Sequence, residues 1–193
     1  MKLSFAGTAI LSLFAATVTS YNIQQPQSAV DRRGVLAGGA AAALAFLTSN
    51  NPAQALEACP KGSNNCISTT WTPPSGTDAT KAASTLKAVI ESYPQEGQNK
   101  VDMGGWTIVD DSFAPGKVAK IEYKSGIGNF AKFFNGGKPF VDDLKLELGS
   151  DGVVSVRSSS RIGDSDLGVN QKRLSYFVSK LRAEGWDAPD PTY

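Results

Sequence analysis

Phe140-Val141-Asp142-Asp143-Leu144-Lys145-Leu146-Glu147-Leu148-Gly149, then Ser150-Asp151-Gly152, then Val153-Val154-Ser155-Val156-Arg157-Ser158-Ser159-Ser160-Arg161, is the stretch that decides the fold. Leu144, Leu146 and Leu148 alternate with charged residues. A period of two marks a strand with one buried face. Ser150-Asp151-Gly152 suits a three-residue hairpin loop, with Gly152 at positive φ beside a bulge. Gly149 then pairs with Val153, Leu148 with Val154, Leu146 with Val156 and Leu144 with Ser158. This register keeps the apolar residues of both strands on one face, and a slip of one residue would scatter them. On the other face Lys145 lies opposite Arg157. Glu147 and Asp143 become diagonal neighbours of Arg157, and Asp143 also of Arg161, which brings carboxylates within reach of the arginines.

Outward from the hairpin, residues 106–111 and 117–125 read as two more strands around the turn Ala114-Pro115-Gly116. Ala82, Ala83, Leu86, Val89, Ile90 and Tyr93 repeat at helical spacing, with Thr77 or Asp78 as a start and Pro94 after the end. Leu174, Phe177, Val178 and Leu181 repeat it near the C-terminus. There Asn170 is the expected N-cap and Gly185 the stop, with Trp186 folding back. These signals predict helices over about 78–92 and 170–184. The expected fold is α+β: an antiparallel sheet of at least four strands with two main helices packed on one face. Residues 126–139 form a long Gly-rich connection carrying Phe130, Phe133 and Phe134. Those rings either dock a partner or cover the sheet edge.

The densest polar stretch is Arg157-Ser158-Ser159-Ser160-Arg161, followed by Gly163, Asp166, Gly168, Asn170 and Arg173. With Phe140-Val141-Asp142-Asp143 and the segment from Cys59 to Cys66, it resembles the domain of unknown function family numbered 1499. That family's pattern has an Asp-Asp pair on one strand and an Arg-Ser-x-Ser-Arg-x-Gly strand exit. An Asp-x-Gly-x-Asn-x-x-Arg entry into the last helix completes it. Each position is matched here, and the resemblance covers roughly residues 59–184. It implies a fold grouping and marks emphasised residues; it implies no reaction.

Read physically, Asp142 and Asp143 project to opposite faces of one strand, so they do not form an acid–base dyad. Asp142 points towards Ser158 and Ser160, where its charge needs hydrogen-bond partners. Asp166 and Asn170 flank the start of the last helix, and Arg173 can reach back to Asp166 or Asp142. One reading is an anion pocket in which Arg157, Arg161 and Arg173, with Ser158, Ser160 and the helix start, bind a carboxylate or phosphate. Asp143, Asp166 and Asn170 would complete it. The other is a salt-bridge network fixing a loop against the sheet. No catalytic residue is assigned, because a serine nucleophile would need an activating base. Whether the protein is an enzyme stays open at this point.

Further outward lies the N-terminus. Met1-Lys2 and an apolar run to Val18 ending at Thr19-Ser20 have the layout of a secretory signal over residues 1–20. Residues 21–30 lack acidic groups, as a plastid transit segment does, and open on the aromatic Tyr21. Asp31-Arg32-Arg33-Gly34-Val35-Leu36, a mild apolar core and Ala53-Gln54-Ala55 have the layout of a twin-arginine signal. The expected address over residues 1–55 is therefore layered, and it ends in the thylakoid lumen of an algal plastid. An uncleaved leader would instead leave a membrane anchor over 34–47. The remaining residues 56–193 are expected to form one domain that does not span a membrane.

Setting aside residues 1–55 removes Lys2, Arg32, Arg33 and Asp31, so the net charge moves from +1 to −1. A near-neutral domain is not a nucleic-acid binder by charge. The chain has no histidine. That excludes Ser-His-Asp and Cys-His catalysis and histidine-ligated zinc, so no metal or cofactor is expected. Cys59 and Cys66 are the two cysteines, and in an exported protein a disulfide is their default. Such a short closed loop stabilises by on the order of 2–3 kcal/mol and would fasten residues 60–65. A redox-active pair is the alternative, although the spacing is not Cys-x-x-Cys. Together these features point to a non-enzymatic lumenal accessory or binding protein serving a photosystem or other thylakoid complex. A small-molecule (anion) binder or enzyme built on the Arg/Asp/Ser cluster is the alternative.

Overall fold

The computed structural model describes residues 56–193. The export signals read from residues 1–55 lie outside the described residues. Five strands and three helices follow in the order β1 (Cys66–Trp71), α1 (Ala79–Glu91), β2 (Trp106–Asp110), β3 (Lys117–Lys124), α2 (Asn129–Phe134), β4 (Val141–Leu148), β5 (Val154–Ser160) and α3 (Val169–Ala183). The strands form one antiparallel sheet in the order β1-β5-β4-β3-β2. The α+β class is as expected from the sequence.

The β4–β5 hairpin has the register that the leucine alternation requires. Leu144 faces Ser158, Leu146 faces Val156 and Leu148 faces Val154, while Lys145 lies opposite Arg157. The Gly149 N–H donates to the Val153 carbonyl at 2.8 Å, and Gly152 has φ +83°. Only glycine fits comfortably there: a Cβ would also sit 3.3 Å from Pro73 and 3.4 Å from Ala82.

The fifth strand, β1, is short and carries Ser68, Thr69 and Thr70, so its apolar signal rests on Ile67 and Trp71. It pairs with β5, placing Ile67 beside Ser158 and Trp71 beside Val154 on the buried face. The connection read as a loop also contains a helix, the six-residue α2, which buries Ala131 and leaves Phe133 and Phe134 exposed.

Helices α1 and α3 close the core on one side of the sheet. Asp78 caps α1 by accepting the Lys81 N–H at 2.9 Å. Leu86, Ile90, Leu174, Phe177 and Leu181 pack against Ile121, Leu144, Leu146, Val154 and Val156. At the end of α3 the Trp186 N–H donates to the Leu181 carbonyl at 3.0 Å, which turns Trp186 back into the core. No described helix is long and apolar enough to cross a membrane.

Candidate functional site

The period of two divides the polar motif between the two faces of the sheet. Asp143, Arg157 and Arg161 lie on the face away from the helices. There the Arg161 Nε donates to Asp143 Oδ2 at 3.0 Å and its Nη2 to Asp143 Oδ1 at 2.8 Å. The same Nη2 bonds Glu122, and Lys120 Nζ stands 3.3 Å from Asp143 Oδ1. Burial alone would raise the Asp143 pKa, but the Arg161 and Lys120 hydrogen bonds outweigh it and hold the carboxyl below its usual range. The pairing in turn raises the Arg161 guanidinium.

Arg157 is different. Its diagonal carboxylates were expected as partners, yet it makes no ion pair among the described residues. Its Nη1 donates to Ser159 Oγ at 2.7 Å, and its Nε is buried with no partner. The carboxylates are engaged elsewhere: Asp143 by Arg161 and Lys120, and Glu147 by the Leu56 backbone N–H at 3.1 Å.

Arg173 lies on the opposite face, inside the core, and is fully buried. Its Nε and Nη2 grip Asp102 side-on at 2.7 and 2.5 Å, and Nη2 also donates to Asp142 Oδ2 at 2.6 Å. Nη1 donates to Asn170 Oδ1 at 2.7 Å and to Ser158 Oγ at 3.3 Å. A guanidinium has five N–H donors, and these contacts use all of them. The guanidinium also lies 4.3 Å from the centre of the Tyr123 ring. Burial works against its charge, but Asp102 and Asp142 win and raise its pKa. Tyr93 donates its hydroxyl to Asp102 Oδ2 at 2.7 Å. Burial, then the Asp102 charge, pushes the Tyr93 phenol up. Burial does the same to Tyr123.

The entry to α3 is tied by Asp166 rather than by Asn170. Gly168 occupies the N-cap position, and the Asp166 carboxylate accepts the N–H groups of Gly168 and Asn170, both at 2.9 Å. Asn170 sits one residue inside the helix and points into the core, so it cannot cap. Its Oδ1 accepts from Ser158 at 2.5 Å, and its amide group donates to Asp166 at 2.5 Å and to the Asn65 carbonyl and Ser160 Oγ at 3.3 Å. One buried amide thus joins β5, the segment before β1 and the loop before α3. The Asn65 amide group closes the same junction on the Gly163 carbonyl.

Beside this network opens a cavity of about 490 Å³. Asp102, Asp142 and Asp166 contribute to its polar wall, with Ser125 and Ser160 nearby. Its mouth carries Phe134, Ile162 and Leu167, of which Leu167 is 73% exposed. Lys100, which is exposed, also lines it. Phe133 is 83% exposed and packs edge-on against Phe134, 4.9 Å between ring centres. The side chain of Phe130 lies outside the described residues.

The three arginines therefore do not converge. Arg157 and Arg161 share one face, Arg173 is spent on the other, and the charged groups lining the cavity are Asp102, Asp142, Asp166 and Lys100. Among the described residues no three acidic or cysteine side chains gather as a metal site. The geometry favours the salt-bridge reading of Arg161 and Arg173 over the anion pocket. Asp102 is the participant that sequence reading missed. It lies in the irregular loop 94–105 at φ +55°, preceded by Asn99 and Lys100 at φ +49° and +66°. The nearby signal is Gly97, where a Cβ would run into the Val101 carbonyl. Cys59 and Cys66 form the expected disulfide.

No curated protein and no solved structure gives a significant match to the chain. Residues 49–181 match the family described as Protein of unknown function (DUF1499). That span holds β1 to β5, the Asp-Asp pair, the arginine strand exit and the entry to α3, and the chain belongs to this family.

Proposed function

We propose that the protein is a soluble, non-enzymatic accessory factor of the thylakoid lumen that docks a lumenal segment of a photosynthetic membrane complex in the cavity beneath α2. The observation that carries this is the pairing of an apolar rim with an acidic wall. Phe134, Ile162 and Leu167 present exposed apolar surface along one cavity, with the exposed Phe133 packed edge-on against Phe134, an arrangement that marks interaction sites. Asp102 and Asp142 share one arginine, and Asp166 adds a further carboxylate, while Lys100 is the cation lining the cavity. The balance is negative, so the complementary segment is apolar with a basic residue. The layered leader supports delivery to that compartment, and the absence of histidine supports binding over acid–base chemistry.

The test is co-migration of the mature protein with thylakoid complexes, against the variant carrying Phe134→Asp and Leu167→Asp. Both positions are exposed, so the fold should tolerate the changes. Co-migration should be lost in the variant. A wild-type protein that stays wholly in the free lumenal fraction, or that co-migrates equally well with the variant, overturns the proposal.

A further inference from the structure

Glu147 lies on the charged face of the sheet yet is only 4% exposed. Its cross-strand neighbours are Val118 and Ser155. Lys145 shares its strand and face, Lys120 and Arg157 lie diagonally, and none of these cations pairs with it among the described residues. One carboxylate oxygen, Oε2, accepts the Leu56 backbone N–H at 3.1 Å. The other, Oε1, is buried with no partner. A peptide amide carries one hydrogen, so it leaves the second oxygen unmet in a place where an unmet carboxylate oxygen is unfavourable.

The donor is not an arbitrary residue. Leu56 directly follows Ala53-Gln54-Ala55, the small-residue end of the export signal. Hydrolysis of the Ala55–Leu56 peptide bond by a signal-type protease consumes one water. Ala55 leaves as a carboxylate, and the Leu56 nitrogen becomes an α-amine that is protonated below about pH 8. An ammonium has three hydrogens and a full charge.

We propose that Glu147 is the receptor for the processed N-terminus: cleavage between Ala55 and Leu56 creates an α-ammonium that ion-pairs with both oxygens of the Glu147 carboxylate. The pair anchors one end of the segment 56–65. The Cys59–Cys66 disulfide anchors the other, where the Ser68 hydroxyl also donates to Cys59 Sγ at 3.1 Å. Processing then changes the domain as well as its address, since the segment is held by a charge that exists only after the cut. The inference needs the cleavage but not the thylakoid destination or the docking partner, so a failure of co-migration leaves it standing.

The experiment uses the full chain with a site-specific protease sequence ahead of Leu56, such that cutting leaves Leu56 first. Thermal unfolding is followed before and after the cut, in the wild type and in Glu147→Gln. Cutting should raise the wild-type midpoint at pH 7 by roughly 3–6 °C. An ammonium paired in the fold has a raised pKa. Its stabilisation is therefore full below about pH 8 and is lost as pH climbs through the raised value. Glu147→Gln should show no gain on cutting. No gain in the wild type, or an equal gain in Glu147→Gln, overturns the proposal. Should the variant fail to fold, the wild-type Leu56 α-amine decides by its titration. A value well above 8 supports the pair, and an ordinary value near 8 overturns it.

Discussion

Arg161 and Arg173 each hold two carboxylates, and they do so on opposite faces of the same sheet. Arg161 keeps 40% of its side chain in solvent beside Asp143 and Glu122; Arg173 keeps none beside Asp102 and Asp142. The chemistry is the same and its weight is not. Water screens the first group and competes for its hydrogen bonds, so each partner is replaceable. The Arg173 guanidinium has no exposed surface, so each of its partners is obligatory. The adjacent aspartates Asp142 and Asp143 serve the two arginines separately, because neighbouring residues of a strand face opposite ways.

The sharpest way to break this comparison is Arg173→Met. The change leaves Asp102 and Asp142 buried without their cation, together with the Asn170 and Ser158 acceptors. Losing one partner of a buried charge group costs about 3–5 kcal/mol. Denaturant unfolding should show that loss, or the variant should fail to fold. A loss under about 1 kcal/mol would mean that the buried group has no more hold than a surface pair. Asp102→Asn sharpens the point. It keeps the shape and removes one charge, so its loss should fall between those of Arg173→Met and a surface variant.

Asp166 lies between the extremes, half-buried at the rim of the cavity. Asp166→Ala removes the acceptor for two N–H groups at the start of α3 and should cost about 0.5–2 kcal/mol, as cap removals do. It carries a second readout. The Tyr193 hydroxyl donates to Asp166 Oδ1 at 2.5 Å, and burial together with this carboxylate raises the Tyr193 phenol. In Asp166→Ala the phenol should titrate closer to the ordinary value of about 10, followed by ultraviolet absorbance. An unchanged Tyr193 titration would mean that burial alone sets it.

The legibility of the molecule follows the same division. The hairpin could be read to the residue, because Leu144, Leu146 and Leu148 alternate with charges and Gly152 marks the loop. Helices α1 and α3 were readable from spacing for the same reason: burial on one side imposes a period. β1 escaped because serine and threonine dilute its alternation, and pairing with β5 stabilises it more than its own composition does. Among the site residues, Arg173 and Asp142 were placed together by facing and reach. Asp102 was out of reach of any periodic argument, because a loop at positive φ aims its side chain by its local turn. Asn170 departs from the expected cap role for a related reason. Its residue type favours a cap, but the left-handed Gly168 starts the helix two residues earlier and sends Asn170 inwards. The convergence of three arginines failed on the period itself, since Arg157 and Arg161 share a face that Ser158 and Ser160 do not.

Arg161→Ala is the smallest of the expected effects and the one that tests whether the open face is as soft as its exposure suggests. Removing this guanidinium leaves Asp143 with Lys120 and leaves Glu122 in contact with water, so neither carboxylate is stranded. The loss should be below about 1 kcal/mol and should shrink in high salt. Its pH signature is distinct. A carboxyl whose folded pKa lies below its unfolded value contributes stability above the unfolded pKa of about 4, and that contribution disappears as pH falls through the lowered value. In Arg161→Ala the Asp143 carboxyl moves back towards the ordinary range, so the part of the acid-induced loss of stability that comes from Asp143 should be smaller than in the wild type. The small difference between the two proteins should therefore be at its full size near pH 7, and it should vanish below the folded pKa of Asp143. A loss at pH 7 comparable to that of Arg173→Met would show that the charged face is held as tightly as the core, with the segment 56–65 that crosses it as the place to look for the reason.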